Sequence, residues 1–210
     1  MRELPGVREM ARFLALGDSY TIGESVSPEE RWPVQLAAML RERGIDIGEP
    51  ELIATTGWTT DELARAIMER EPRGPFALVS LLIGVNNQYR GRPLDEYRDQ
   101  FRGLLDQAIA FAGDEPGRVM VLSIPDWGVT PFAEDRDRAQ IARDIDAFNA
   151  VNRDESQRVG ARYVDVTPLS RMAAANVALV APDGLHPSGL MYRSWAELAL
   201  TGALGAVTRD

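Results

Sequence analysis

Short apolar runs alternate with longer segments of helical period along most of this 210-residue chain. Each run holds four to eight mainly apolar residues, which is typical of strands buried on both faces of a parallel sheet. The runs predict five strands, at residues 12–16, 51–54, 76–83, 119–124 and 163–166. Because helical segments separate these strands, we expect an α/β fold in which helices cover both faces of a five-stranded parallel sheet.

Helical periodicity is clearest in five segments, residues 32–43, 59–70, 97–112, 141–151 and 188–207. The second of them opens on Thr59-Thr60-Asp61-Glu62, a sequence typical of a helix capping box. No internal repeat, low-complexity tract or linker interrupts the alternation. We therefore predict a single domain over residues 1–210.

Polar residues that could take part in a reaction stand where the predicted strands end. Open parallel sheets bind ligands beyond the carboxyl ends of their strands, so these positions are where chemistry is expected. Three such segments follow the first three strands, and a fourth precedes the last helix. They are Gly17-Asp18-Ser19-Tyr20, Thr55-Thr56-Gly57-Trp58, Gly84-Val85-Asn86-Asn87 and Asp183-Gly184-Leu185-His186.

The residue types in these four segments fit a serine hydrolase. His186 is the only histidine, and histidine is the side chain best suited to act as a general base near neutral pH. Asp183, three residues earlier, can fix the tautomer of the imidazole, and Ser19 can serve as the nucleophile. The backbone N–H groups of Ser19 and Gly57 and the side-chain amide of Asn86 are candidate donors to an oxyanion.

Taken one at a time, the four segments have plainer interpretations. Asp and Ser commonly cap helices, Asn and Gly are common in turns, and a surface His is usually inert. Together, however, the four segments follow successive elements of one sheet and supply a nucleophile, a base, a carboxylate and oxyanion donors. This combination favours catalysis over the plainer interpretations.

In order and content these segments resemble the SGNH hydrolases, also called GDSL esterases and lipases, a family named for Ser, Gly, Asn and His in four sequence blocks. The resemblance spans the chain from residue 13 to the last helix. It implies a flavodoxin-like three-layer α/β/α sandwich with a five-stranded parallel sheet. It also implies a catalytic triad of Ser19, Asp183 and His186 and an oxyanion hole of Ser19, Gly57 and Asn86.

Two positions depart from the family pattern. Tyr20 stands where Leu is common, a variant that some members carry. Asn87 stands where Asp is usual, which gives Asn86 a neutral neighbour instead of a charged one. The nucleophile elbow of the α/β-hydrolases fits less well, because its Gly-x-Ser-x-Gly needs a glycine where this chain has Thr21.

Aromatic residues near the strand ends predict an apolar acyl or aryl site of modest size. They are Tyr20, Trp58, Tyr89, Trp127 and Phe132. Three loops, at 20–31, 88–93 and 125–134, should frame this site, and we expect the first to be pliable enough to act as a lid.

These observations predict a serine esterase that hydrolyses small carboxylic esters through an acyl-serine intermediate. A lysophospholipase, a thioesterase and a carbohydrate deacetylase are alternatives on the same fold. Alternatives from other classes are a non-catalytic binding module and a flavodoxin-like nucleotide or phosphate binder.

The composition removes several further classes of function. A net charge of −9 argues against nucleic acid as a partner. All 23 basic residues are Arg, and without Lys the chain can form neither a P-loop nor a Schiff base. The absence of Cys excludes disulfides and thiolate catalysis, and we expect neither a metal nor a cofactor.

The chain carries no apolar run of membrane-spanning length, and its N-terminus lacks the apolar core of a signal peptide. We therefore expect a cytoplasmic protein without a membrane span, although a leader removed earlier would leave no trace in this sequence. The oligomeric state is left open.

Overall fold

The computed structural model describes residues 10–208. The expectation that the N-terminus is not a signal peptide concerns a segment whose first nine residues lie outside the described residues. Five strands form one sheet. They are β1 Phe13–Gly17, β2 Glu51–Ala54, β3 Leu78–Leu82, β4 Val119–Leu122 and β5 Arg162–Val164. Their spatial order is β2-β1-β3-β4-β5 and every neighbouring pair is parallel, as in flavodoxin-like folds. The predicted fold class is confirmed.

Helices form the two outer layers of the sandwich. They are α1 Ser19–Ile22, α2 Trp32–Glu42, α3 Thr60–Arg70, α4 Val85–Tyr89, α5 Leu94–Phe111, α6 Arg138–Val159, α7 Thr167–Arg171 and α8 Gly189–Val207. On one face of the sheet α2 packs on α8, and on the other α5 packs on both α3 and α6. None of the helices within residues 10–208 is both long and apolar enough to cross a bilayer.

Some predicted boundaries differ from those of the structure, for physical reasons. The apolar run at 76–83 is longer than β3 because Phe76 and Ile83 are buried without joining the ladder to β1. Helix α6 continues to Val159, although the apolar period of its sequence ends at residue 151. The period ends early because the later buried positions of the helix are polar. These are Asn152, Glu155 and Ser156.

The carboxyl end of β1 packs very closely against β3. Gly17 pairs with Leu82 of β3, and a Cβ at Gly17 would collide with the Leu82 carbonyl oxygen and with the Thr21 side chain. Only glycine therefore permits the abrupt change from β1 to α1, whose first residue is Ser19.

Candidate active site

Three of the candidate residues meet at the carboxyl ends of β1, β2 and β3, where the chain connections run to opposite sides of β1. The chain leaves β1 toward β2 on one side and reaches β3 on the other, and this switch point is where open sheets form ligand crevices. Ser19 follows β1, Gly57 follows β2 and Asn86 follows β3. The three residues line one cleft together with His186.

Ser19, His186 and Asp183 form a continuous hydrogen-bonded line. Ser19 Oγ lies 3.0 Å from His186 Nε2, and His186 Nδ1 lies 2.6 Å from Asp183 Oδ2. The serine and the histidine are 5% and 7% exposed, so little water competes for these contacts. The arrangement places a hydroxyl beside an imidazole base that is oriented by a carboxylate, which is the geometry of nucleophilic catalysis by serine.

A tight turn holds the Asp183 carboxylate. Its Oδ1 accepts hydrogen bonds from the backbone N–H groups of Leu185 at 2.9 Å and His186 at 3.0 Å. Its Oδ2 accepts from His186 Nδ1 and, at 2.7 Å, from the Ser25 hydroxyl. Partial burial acts to raise the pKa of Asp183, but the hydrogen bonds from His186, Ser25 and the backbone hold that pKa well below its usual range. The group therefore stays ionised.

The His186 ring is fixed from a second side by Tyr20. The two rings meet edge to face with centroids 5.6 Å apart, and Tyr20 is 3% exposed. Burial, helped by the nearby carboxylate of Asp18, raises the pKa of the Tyr20 phenol well above its usual value. Tyr20 is therefore a neutral packing surface for the imidazole.

Two of the candidate oxyanion donors, Gly57 and Asn86, line the same cleft as Ser19. Gly57 adopts a left-handed backbone with φ of 86°, and its carbonyl accepts a 2.7 Å hydrogen bond from Arg90 Nη2. Asn86 Nδ2 donates to the Trp58 carbonyl at 2.9 Å. Because an amide nitrogen carries two hydrogens, this contact orients Asn86 and leaves the second N–H for a ligand.

Asn87, the departure from the family pattern, has a structural environment. Its side chain is fully buried, accepts from the Thr60 backbone N–H at 3.1 Å and donates to Thr60 Oγ1 at 2.7 Å. The Thr60 hydroxyl donates its own hydrogen to Gln100. The Thr60 oxygen therefore needs a donor, which an amide supplies and a carboxylate does not.

An aromatic wall bounds the cleft beside Ser19. Tyr89, Trp127 and Phe132 form a cluster with ring centroids 5.4 to 6.5 Å apart. Trp127 Nε1 donates to Gln88 Oε1 at 2.9 Å, which fixes the central ring. The cleft has a volume of about 210 Å³ and is open to solvent.

Four of the five predicted aromatic residues line this cleft. They are Tyr20, Tyr89, Trp127 and Phe132. Trp58 does not, because its ring packs half-buried against the hydrophobic core and only its carbonyl faces the site, through Asn86.

Four residues at the site had no role predicted from the sequence. Thr56, Val85 and Leu185 line the cleft. All three stand inside the four recognised segments, so their position next to Gly57, Asn86 and His186 was the available signal. Ser25 contacts Asp183 from 158 residues away, and no local pattern marks it. A lid in the loop at 20–31 stays a prediction.

The family model for GDSL-like lipases and acylhydrolases matches residues 15–194. The chain belongs to this family. The family is one of lipases and acylhydrolases, so the protein is a hydrolase by family. No protein of curated function matches its sequence significantly.

Solved structures of GDSL hydrolases and related enzymes share the fold. A lipase from a goat rumen metagenome is 15% identical, covers 92% of this chain and 97% of its own, and has a TM-score of 0.74. The esterase EstA from Pseudoalteromonas, solved with monoethylphosphonate as inhibitor, is 18% identical, with coverages of 91% and 95% and a TM-score of 0.66. Phospholipase A1 from Streptomyces albidoflavus is 17% identical, with coverages of 93% and 99% and a TM-score of 0.68.

Proposed function

We propose that this GDSL hydrolase is a serine esterase acting on small carboxylic esters through an acyl-Ser19 intermediate. The observation that carries the proposal is the line of hydrogen bonds from Ser19 Oγ through His186 to Asp183, which opens directly into the apolar cleft.

The proposed reaction has two halves. In the first, Ser19 Oγ attacks the ester carbonyl carbon while His186 Nε2 takes the hydroxyl proton, and the negative charge moves to the carbonyl oxygen. The Ser19 and Gly57 backbone N–H groups and the Asn86 amide are the proposed donors to that oxygen. The C–O bond to the alcohol then breaks, and His186 returns its proton to the leaving oxygen.

In the second half, water replaces the alcohol. His186 removes a proton from the water as its oxygen attacks the acyl carbon, and collapse of the second tetrahedral intermediate releases the acid and restores the Ser19 hydroxyl. Asp183 stays a carboxylate throughout and stabilises the imidazolium that forms twice in each cycle.

The size of the cleft supports small substrates. Its volume of about 210 Å³ lies below the range of roughly 300–1,000 Å³ that is usual for sites of drug-sized ligands. Its walls are mainly apolar, with Val85, Leu185 and the aromatic cluster facing Ser19. The names of the structural neighbours, an esterase inhibited by a phosphonate among them, agree with acyl transfer to serine.

A panel of p-nitrophenyl esters and sugar acetates tests this proposal against a Ser19→Ala control. We expect the highest kcat/KM with short acyl chains and a loss of at least about 10⁴-fold in kcat for Ser19→Ala. Hydrolysis that survives in Ser19→Ala within tenfold of the wild type would contradict the proposed nucleophile. A preference for sugar acetates would redirect the substrate class to carbohydrates.

A further inference from the structure

Ser25 makes a direct contact with the proposed catalytic line from a loop that no sequence block includes. Its hydroxyl donates to Asp183 Oδ2 at 2.7 Å. The same carboxylate oxygen accepts from His186 Nδ1 at 2.6 Å. Ser25 and His186 therefore share one acceptor atom, and a change in one contact alters the other.

The backbone of this loop is held in an unfavourable conformation. Ser25 has a φ of 64°, in the left-handed region that residues with a side chain rarely adopt. Such conformations persist only where the surroundings impose them, and they concentrate at functional sites. Here the loop is fixed next to Ser25, because the Glu24 N–H donates to the Ser19 carbonyl at 3.0 Å and the Glu24 carboxylate accepts from the Thr56 hydroxyl.

The two consecutive loop residues thus reach both sides of the site. Glu24 holds the turn that carries Gly57, and Ser25 holds Asp183. We infer that Ser25 is a positioning residue for the catalytic line: its hydroxyl completes the hydrogen bonding of Asp183, keeps Oδ2 aimed at the imidazole and weakens the pull of the carboxylate on the imidazole proton. The inference rests on the proposed esterase function.

Loss of the Ser25 hydroxyl should change the proton affinity of the imidazole in one direction only. A carboxylate that loses one hydrogen-bond donor becomes a stronger base, so it stabilises the imidazolium more and the ring should hold its proton to higher pH. The other charged or titratable groups around the ring come from several elements. They are the Tyr20 phenol at the edge of the ring, the buried Asp18 next to Ser19, and Asp126, which lines the same cavity as His186 and forms an ion pair with Arg171 at 2.9 Å. Within residues 10–208, the Ser25 side chain forms a hydrogen bond with none of these groups.

The single histidine makes the effect measurable without a substrate. In protein produced without a histidine tag, the imidazole NMR resonances belong to His186 alone, and their midpoint against pH reads its protonation. The variants to compare are Ser25→Ala and Ser25→Gly. Glycine accepts a φ of 64° without strain, so it separates loss of the hydroxyl from disturbance of the backbone.

Ser27→Ala is the matched control. Ser27 stands two residues further along the same loop, and its hydroxyl contacts Glu30 at 2.9 Å instead of Asp183. A midpoint that responds to Ser25 but not to Ser27 assigns the effect to the contact with Asp183.

We expect the imidazole midpoint to rise by about 0.5–1 pH unit in both Ser25 variants, since Ser25 is solvent-exposed and a fully buried contact would give more. The acid limb of kcat/KM should move with it, and kcat should fall by about tenfold with little change in KM. An unchanged midpoint in both Ser25 variants, or an equal rise in Ser27→Ala, would overturn the inference.

The two proposals fail separately. If the wild type hydrolyses esters and the midpoint does not move, only the role of Ser25 is wrong. If the wild type hydrolyses no ester and the midpoint moves as expected, the esterase function is wrong and the coupling of Ser25 to the imidazole stands.

Discussion

Asp18 precedes the proposed nucleophile and carries a carboxyl group that is fully buried. Its Oδ1 accepts from the Tyr20 backbone N–H at 3.0 Å, whereas its Oδ2 has no hydrogen-bond partner among residues 10–208. Burial raises the pKa of Asp18 to about 7, against the lowering effect of the backbone hydrogen bonds. The carboxyl is therefore protonated in mildly acidic solution.

This shift predicts that the folded protein becomes less stable as pH rises. Between the unfolded pKa of 3.8 and the folded value of about 7, the folded state binds a proton that the unfolded state lacks. The free energy of unfolding should therefore fall across this interval, by on the order of 2–4 kcal/mol in total, and then level off. Urea unfolding at pH 5, 6, 7 and 8 measures it.

Asp18→Asn removes the titrating group at nearly constant volume and should flatten the profile between pH 5 and 8. Asp99→Asn, a change on the exposed face of α5, is the control and should keep the slope of the wild type. Equal slopes in the wild type and Asp18→Asn would show that Asp18 is ionised in both states.

The adjacent residues Asn86 and Asn87 should have separable effects. Asn86→Ala removes a proposed oxyanion donor, so kcat should fall about 10²–10³-fold with little change in KM or in the melting temperature. Asn87→Ala leaves buried groups of Thr60 without partners and should lower stability by about 1–3 kcal/mol. Steady-state kinetics and thermal unfolding of both variants measure the contrast. An equal loss of substrate affinity and turnover in Asn86→Ala would instead place Asn86 in substrate binding.

At the scale of elements, one buried carboxylate joins the two longest helices of one layer. Glu155 of α6 is 2% exposed and forms ion pairs with Arg98 at 2.7 Å and Arg102 at 2.8 Å, both on α5. The hydrogen bond from Arg102 outweighs burial and, with those from Arg158 and Arg98, lowers the pKa of Glu155 to about 2. The contact therefore stabilises the packing of α5 on α6.

Glu155→Gln should lower the free energy of unfolding by about 2 kcal/mol at neutral pH. Because the folded pKa lies below the unfolded value of 4.5, this contribution is complete above that value and is lost as pH falls toward 2. The neighbouring change Asp154→Asn affects an exposed carboxylate 3.9 Å from Arg98 and should have little effect. Chemical denaturation at pH 7 and pH 3 distinguishes the two, and equal losses in both variants would argue against a special role for Glu155.

The elements themselves were largely predictable, because apolar period is a local property. The sequence Thr59-Thr60-Asp61-Glu62 predicts the start of α3, and the structure shows the reciprocal hydrogen bonds between Thr59 and Glu62. The extent of α6 was not predictable from apolar period, since Glu155 and its buried polar neighbours continue the helix. Trp58 illustrates the same limit, because tertiary packing alone decides whether an aromatic ring beside a strand joins the core or a cleft.

At the scale of the whole molecule, the strand order explains why residues far apart in the sequence meet at one site. Ser19 and His186 are 167 residues apart. They meet because β1 lies between β2 and β3 in the parallel sheet and the last helix of the chain returns to pack on α2. Residue types after strands therefore predicted the segments that converge. Ser25 was not predictable, because its partner is set by the path of a loop. One domain over residues 1–210 stays a prediction.

Labelling of the intact protein with a fluorophosphonate tests the central claim most directly, because it requires the assembled line of Ser19, His186 and Asp183 but no knowledge of the substrate. Ser19 Oγ should displace fluoride from phosphorus to give one adduct per chain by intact mass, mapped to Ser19 by peptide sequencing. Ser19→Ala and the urea-unfolded chain should remain unlabelled. A folded wild-type protein that takes up no label, or a Ser19→Ala variant that is labelled as fully as the wild type, would contradict the account.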